Sequence, residues 1–163
     1  MFNQYSTIMK HFTLLMVFIC LMILTCCQQG TKLPENYQAK VCEELSKSLT
    51  KSLEAWEKED LETYLSFLDK DMLNMFSYGP AQNLEECRKS FRDVFDNYTI
   101  EGVKWEPVEC IVDHNLAFMT TLFEQKWISN DKQDTISFKM RGMSVSRKQE
   151  DGSWKMFRLI GQQ

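Results

Sequence analysis

Residues 39–79 read AKVCEELSKSLTKSLEAWEKEDLETYLSFLDKDMLNMFSYG, and their spacing decides the fold. Cys42, Leu45, Leu49, Leu53 and Trp56 recur every three or four residues, which predicts one apolar stripe along a long helix. The acidic break Glu57-Lys58-Glu59-Asp60 ends it. Asp60 stands where an N-cap belongs, and Leu61, Tyr64, Leu65 and Leu68 restart the stripe on a short second helix. Asp71 then opens a strand that Tyr78-Gly79-Pro80 closes with turn chemistry. The rest of the chain is expected to wrap a sheet around these helices.

Downstream, Asn83-Leu84-Glu85-Glu86 is a capping box, and behind it Cys87, Phe91, Val94, Phe95 and Tyr98 form a third helical stripe. From Thr99 the period changes to two. Val103 and Trp105 share one face, whereas Val108, Cys110 and Val112 continue in the opposite phase. A β-bulge at Glu106-Pro107 accounts for the slip and predicts that Trp105 and Val108 both point inward. Strands follow at Leu116–Ile128, Thr135–Lys148 and Trp154–Ile160, with a turn at Gln149-Glu150-Asp151-Gly152. The predicted class is α+β: a cone in which a strongly curved antiparallel sheet wraps about three helices from the N-terminal half.

Upstream of the fold, Lys10 and His11 precede Phe12–Leu24, thirteen apolar or small residues without charge. That run is short for a membrane span and suits a signal-peptide core. It ends in Leu24-Thr25-Cys26-Cys27, which resembles the bacterial lipobox, with Leu24 three residues before Cys27. Residues 1–26 are therefore read as a lipoprotein signal peptide, Cys27 as the lipidated residue, 27–35 as a tether and 36–163 as the folded domain. The implied location is the bacterial cell envelope, outside the cytoplasm, with the membrane as a partner through acyl chains worth roughly 0.8 kcal/mol per buried methylene.

Composition narrows the chemistry. The net charge of −4 becomes more negative once Lys10 is removed, and no basic stripe suggests nucleic acid. Cys42, Cys87 and Cys110 lie far apart, so at least two of them are read as buried free thiols, with one disulfide left open in an oxidising envelope. His114 is the sole histidine after residue 26 and falls in the turn Asp113-His114-Asn115. That scarcity removes most metal sites and any Ser-His or Cys-His nucleophile pair unless His114 itself takes part, and no metal or cofactor is expected.

Two stretches carry a resemblance. Trp56-Glu57-Lys58-Glu59-Asp60-Leu61 followed by Asp69-Lys70-Asp71, and the ending Arg147-Lys148-Gln149-Glu150-Asp151-Gly152-Ser153-Trp154-Lys155, resemble the SnoaL-like branch of the nuclear transport factor 2 superfamily. The match runs from Tyr37 to Ile160. The resemblance implies a cone, homodimers through the convex sheet face, and functions from isomerases and cyclases to binding modules without chemistry. Ketosteroid isomerases of this superfamily carry a carboxylate base near the end of the first strand, where this chain has Phe76. Cyclase-type members use an acid and a histidine in the cone, and no histidine is expected there.

The cavity lining is predicted to include Trp56, Phe76, Met119, Phe123 and Met143, an apolar and polarisable set. Tyr64, Tyr78, Glu124, Arg141 and Arg158 are the candidates for polar duty, against a simpler reading of wet tyrosine hydroxyls and of charges on the convex face. Binding of a small apolar or amphipathic ligand is the first reading. An isomerase or cyclase would need a perturbed carboxylate such as Glu124 inside the cone. A protein-interaction module would show a plugged cone instead.

Overall fold

The computed structural model describes Pro34 and residues 36–77 and 79–162. The signal segment, Cys27 and Tyr78 lie outside the described residues. The elements run α1 (Tyr37–Glu57), α2 (Leu61–Ser66), β1 (Leu68–Phe76), β2 (Gln82–Asn83), α3 (Leu84–Asn97), β3 (Tyr98–Asp113), β4 (Leu116–Ser129), β5 (Thr135–Lys148) and β6 (Trp154–Gln162).

The helix ends form as their sequence dictates. Glu59 enters the left-handed region at φ 58°, which stops α1, and the Asp60 carboxylate accepts from the Thr63 amide at 3.1 Å to start α2. At α3 the box closes both ways: Asn83 Oδ1 accepts from the Glu85 and Glu86 amides, each at 3.0 Å. Glu86 Oε2 in turn accepts from the Asn83 amide at 2.8 Å. Arg88 of α3 pairs with Glu62 of α2.

Strand order is β2-β1-β6-β5-β4-β3, an open six-stranded sheet. All neighbours are antiparallel except β1 and β6, which run parallel. β1 begins at Leu68, three residues before the predicted start, because Asp69 and Met72 are buried within it. β3 has two irregularities, one beside Gly102 at φ 66° and one between Pro107 and Glu109. Bulges bend a strand and raise its twist, which curls this long strand and its neighbours.

The second bulge lies where the phase slip was predicted, but its residues face differently. Val108 is the extra residue and is 61% exposed, so the expectation that it points inward with Trp105 is corrected. An unpaired bulge residue need not share the face of its neighbours, and the inward phase resumes at Cys110 and Val112. His114 occupies the β3–β4 turn at φ 52°, its Nδ1 2.6 Å from Asp113 Oδ1.

Two clusters hold the layers together. Val41 and Leu45 of α1 pack on Val112, Ala117 and Met119 of the sheet, and Leu65, Leu68 and Met72 form a second core under α3. Beside the first, Cys42 and Cys110 form a disulfide that ties α1 to β3, while Cys87 is a buried free thiol. The reading of at least two free thiols is thus corrected. Sequence spacing cannot register that α1 crosses β3 with the two Cα atoms 6.0 Å apart, within disulfide reach.

Candidate functional site

The concave face of the sheet and the helices enclose a cavity of about 280 Å³. Its centre is Trp56, whose ring centroid lies 5.1 Å from Tyr64, 5.2 Å from Phe91, 4.8 Å from Phe95 and 6.5 Å from Trp127. These spacings fall in the range favoured by tilted and edge-to-face aromatic pairs. The sheet supplies Trp105 from β3, Phe123 and Trp127 from β4, Phe138 and Met140 from β5, and Phe76 from β1.

Phe76 owes its place to a glycine. It pairs in register with Gly161 of β6, and a Cβ built on Gly161 would sit 2.1 Å from the Phe76 ring. No larger residue than glycine leaves room for the ring as it lies.

The polar lining is sparse and neutral. Trp56 Nε1 donates to Gln125 Oε1 at 2.8 Å, with Gln125 6% exposed, and Gln82 Nε2 donates to Ser90 Oγ at 2.7 Å. Asn74 Oδ1 and Trp127 Nε1 are buried without a hydrogen-bond partner among the described residues. Burial pushes the Tyr64 hydroxyl well above its usual range and the Cys87 thiol behind it up to about 11, so both stay protonated at neutral pH. No Asp, Glu, Lys, Arg or His is among the described lining residues.

Of the predicted site residues, Trp56, Tyr64, Phe76 and Phe123 come together in the cavity. Met119 faces inward too, but it sits deeper, beside a separate space of about 30 Å³ shared with Leu45, Ser144 and Trp154. Glu124, Arg141 and Met143 do not line the cavity, and their placement there is corrected. Each is flanked by inward-facing neighbours on its strand, and alternation turns it to the other face. There Glu124 meets Lys139 at 2.5 Å. The hydrogen bond from Lys139, its charge and that of Lys104 hold the carboxyl below its ordinary range, the reverse of a base poised near neutrality. Arg158 donates to the Asp71 carbonyl at 2.8 Å and stacks on Phe157, outside the cavity.

Sequence reasoning missed Asn74, Gln125 and Trp127. The signal was present: on β4 the period of two that selects Phe123 selects Gln125 and Trp127 as well, and on β1 it links Asn74 to Phe76.

A curved open sheet closed over three helices around an apolar hollow defines the cone-shaped NTF2-like class. Residues 49–156 match the SnoaL-like domain, and the chain belongs to that family. Solved structures agree in fold. A conserved protein from Planctomyces limnophilus DSM 3776 superposes with a TM-score of 0.72 at 17% identity, covering 76% of this chain and 96% of that one. A ketosteroid isomerase-like protein from Erwinia carotovora atroseptica SCRI1043 gives 0.67 at 17% identity, covering 80% and 97%. An NTF2-like protein from Cytophaga hutchinsonii ATCC 33406 gives 0.60 at 19% identity, covering 72% and 93%. A curated sequence, the CRISPR-associated endoribonuclease Cas13a of Leptotrichia shahii, is 25% identical over 92 residues, 55% of this chain but 7% of that protein. So small a share carries nothing about function.

Proposed function

We propose that this protein is a lipid-anchored envelope protein whose cone binds a small, mostly apolar ligand without transforming it. The observation that carries the reading is the open 280 Å³ cavity with aromatic walls and no charged side chain in its described lining. Burying apolar surface drives such binding at about 25 cal/mol per Å². Acid–base chemistry needs a group that can hold or release a proton near neutral pH. The family resemblance puts the isomerases' base at Phe76, which cannot take a proton; Glu124 lies outside the cavity lining, and Tyr64 holds its proton tightly.

The Cys42–Cys110 disulfide supports an address outside the reducing cytoplasm, in keeping with the signal segment and the lipidation of Cys27. Acyl chains at Cys27 are the proposed attachment; no described helix is long and apolar enough to cross a membrane. A second copy is proposed to cover the outer sheet face, where the cross-strand pair Ile111 and Phe118 is 47% and 39% exposed.

The test is organic extraction of protein purified from membranes, with mass spectrometry of the extract, followed by assay against a panel of enolisable ketones. A co-purifying apolar compound and no turnover are expected. Turnover that Tyr64→Phe abolishes in a folded protein would overturn the reading in favour of an isomerase.

A further inference from the structure

Resting on the binding reading above, we infer that the guest is a neutral molecule of about two fused rings that donates a hydrogen bond to Asn74. Asn74 lies in β1 between Gln82 of β2 and Leu159 of β6 and is 2% exposed. Its side chain hydrogen-bonds the Cys87 thiol, yet Oδ1 accepts nothing among the described residues. A buried carbonyl oxygen left unpaired is costly, and such groups are uncommon in folded proteins without a reason. Asn74 is among the residues that line the cavity, on the same strand face as Phe76, so a turn of its amide would bring Oδ1 to a hydroxyl or N–H on a bound guest.

Two further observations limit the guest. The described lining holds no cation, so a carboxylate or phosphate would lose its water without gaining a counter-charge. This argues against a fatty-acid anion, despite the apolar walls. Size follows from volume: a cavity of about 150 Å³ accepts benzene. At about 280 Å³ this one suits a guest nearly twice as large. The aromatic walls favour flat rings that can stack or meet them edge-on.

The experiment titrates the full chain in lipid nanodiscs by calorimetry at pH 7, with empty nanodiscs as the blank. The probes are naphthalene, 2-methoxynaphthalene, 2-naphthol and 2-naphthoate, which share one skeleton but differ in donor and charge. Expected is 2-naphthol binding about tenfold tighter than 2-methoxynaphthalene, the equivalent of about 1.4 kcal/mol, with 2-naphthoate weakest. In Asn74→Leu the affinity ratio of 2-naphthol to 2-methoxynaphthalene should fall from about ten to about one, whatever the change in absolute affinity. If that variant does not fold, the wild-type ladder decides alone. Equal binding of 2-naphthol and 2-methoxynaphthalene, or tight binding of 2-naphthoate, would overturn the inference and leave the apolar-cavity reading standing. Failure of every probe, naphthalene included, would overturn both.

Discussion

Asp69 and Arg147, 78 positions apart, form a two-point ion pair: Arg147 Nε donates to Oδ2 at 3.2 Å and an Nη donates to Oδ1 at 2.5 Å. The Asp69 carboxylate is fully buried and also accepts from the Asp71 amide and from Gln149 Nε2, each at 2.8 Å. Arg147 reaches Asp71 as well, at 2.7 Å. The two stretches that carried the family resemblance thus meet in space, joining β1 to β5 across β6.

Burial alone would push the Asp69 carboxyl up. The hydrogen bonds from Arg147, Asp71 and Gln149, with the Arg147 charge, outweigh it and hold the pKa below its ordinary 3.8. A lowered folded pKa contributes stability that is present above the unfolded value and lost as pH falls below it. Asp69→Asn should cost roughly 2–3 kcal/mol at pH 7, less than the ~3–5 kcal/mol of a fully buried pair because Arg147 is partly exposed. Urea midpoints followed from pH 7 to pH 2.5 check this: the gap between wild type and variant should narrow below about pH 4. A constant gap would mean that Asp69 is not the titrating partner.

The disulfide predicts a redox-dependent stability. Reduction of Cys42–Cys110 opens a link between residues 68 apart and should lower stability by about 2–4 kcal/mol. Thermal melts with and without reductant test the size of the effect. Maleimide labelling in denaturant, after removal of residues 1–27, should find one free thiol before reduction, that of Cys87, and three after. Three labelled thiols without reductant would remove the disulfide and with it the support for an oxidising location.

The contact of Phe76 with Gly161 predicts a steric effect inside the cavity. Gly161→Ala forces the ring aside or the strand apart, at a cost of about 1–3 kcal/mol. Gly161→Ala combined with Phe76→Ala should recover part of that cost, because the clash is gone. A double variant with strictly additive losses would show that the ring and the glycine are independent.

Lipidation is tested by its register. Cys27→Ala should abolish fatty-acid labelling and release the protein from membranes, while Cys26→Ala should leave both unchanged. Labelling that survives Cys27→Ala and vanishes with Cys26→Ala would place the acyl chains one residue earlier.

Most of the fold was legible because its signals are local. Caps at Asp60 and Asn83, the helical stripes, the strands after residue 115 and the turn at Gln149–Gly152 each follow from residues within one or two turns. The site was legible only in part, since its composition depends on which face each strand residue takes. Phe123 and Glu124 were both assigned to the cavity, although adjacent strand residues point to opposite faces. Val108 failed for the related reason that a bulge interrupts alternation, and the residue left unpaired is not marked in the sequence. The Cys42–Cys110 bond and the Asp69–Arg147 pair depend on strand order and helix placement, which arise only when the sheet closes over α1. The parallel pairing of β1 with β6 belongs to the same class of long-range fact.

The cavity itself is tested most directly by filling it. Gly142 lines its wall, and a Cβ there meets only ordinary contacts, 3.5 Å from Thr121 Oγ1 and 3.7 Å from the Ile160 carbonyl. A phenylalanine at this position would extend into the hollow, and replacing a strand glycine restores β propensity. Naphthalene titrated into the wild-type protein should bind saturably at one site per chain, and Gly142→Phe should weaken that binding at least tenfold while keeping the melting temperature. Unaltered binding in a folded Gly142→Phe protein, or no saturable binding by the wild type, would contradict a ligand-binding cone.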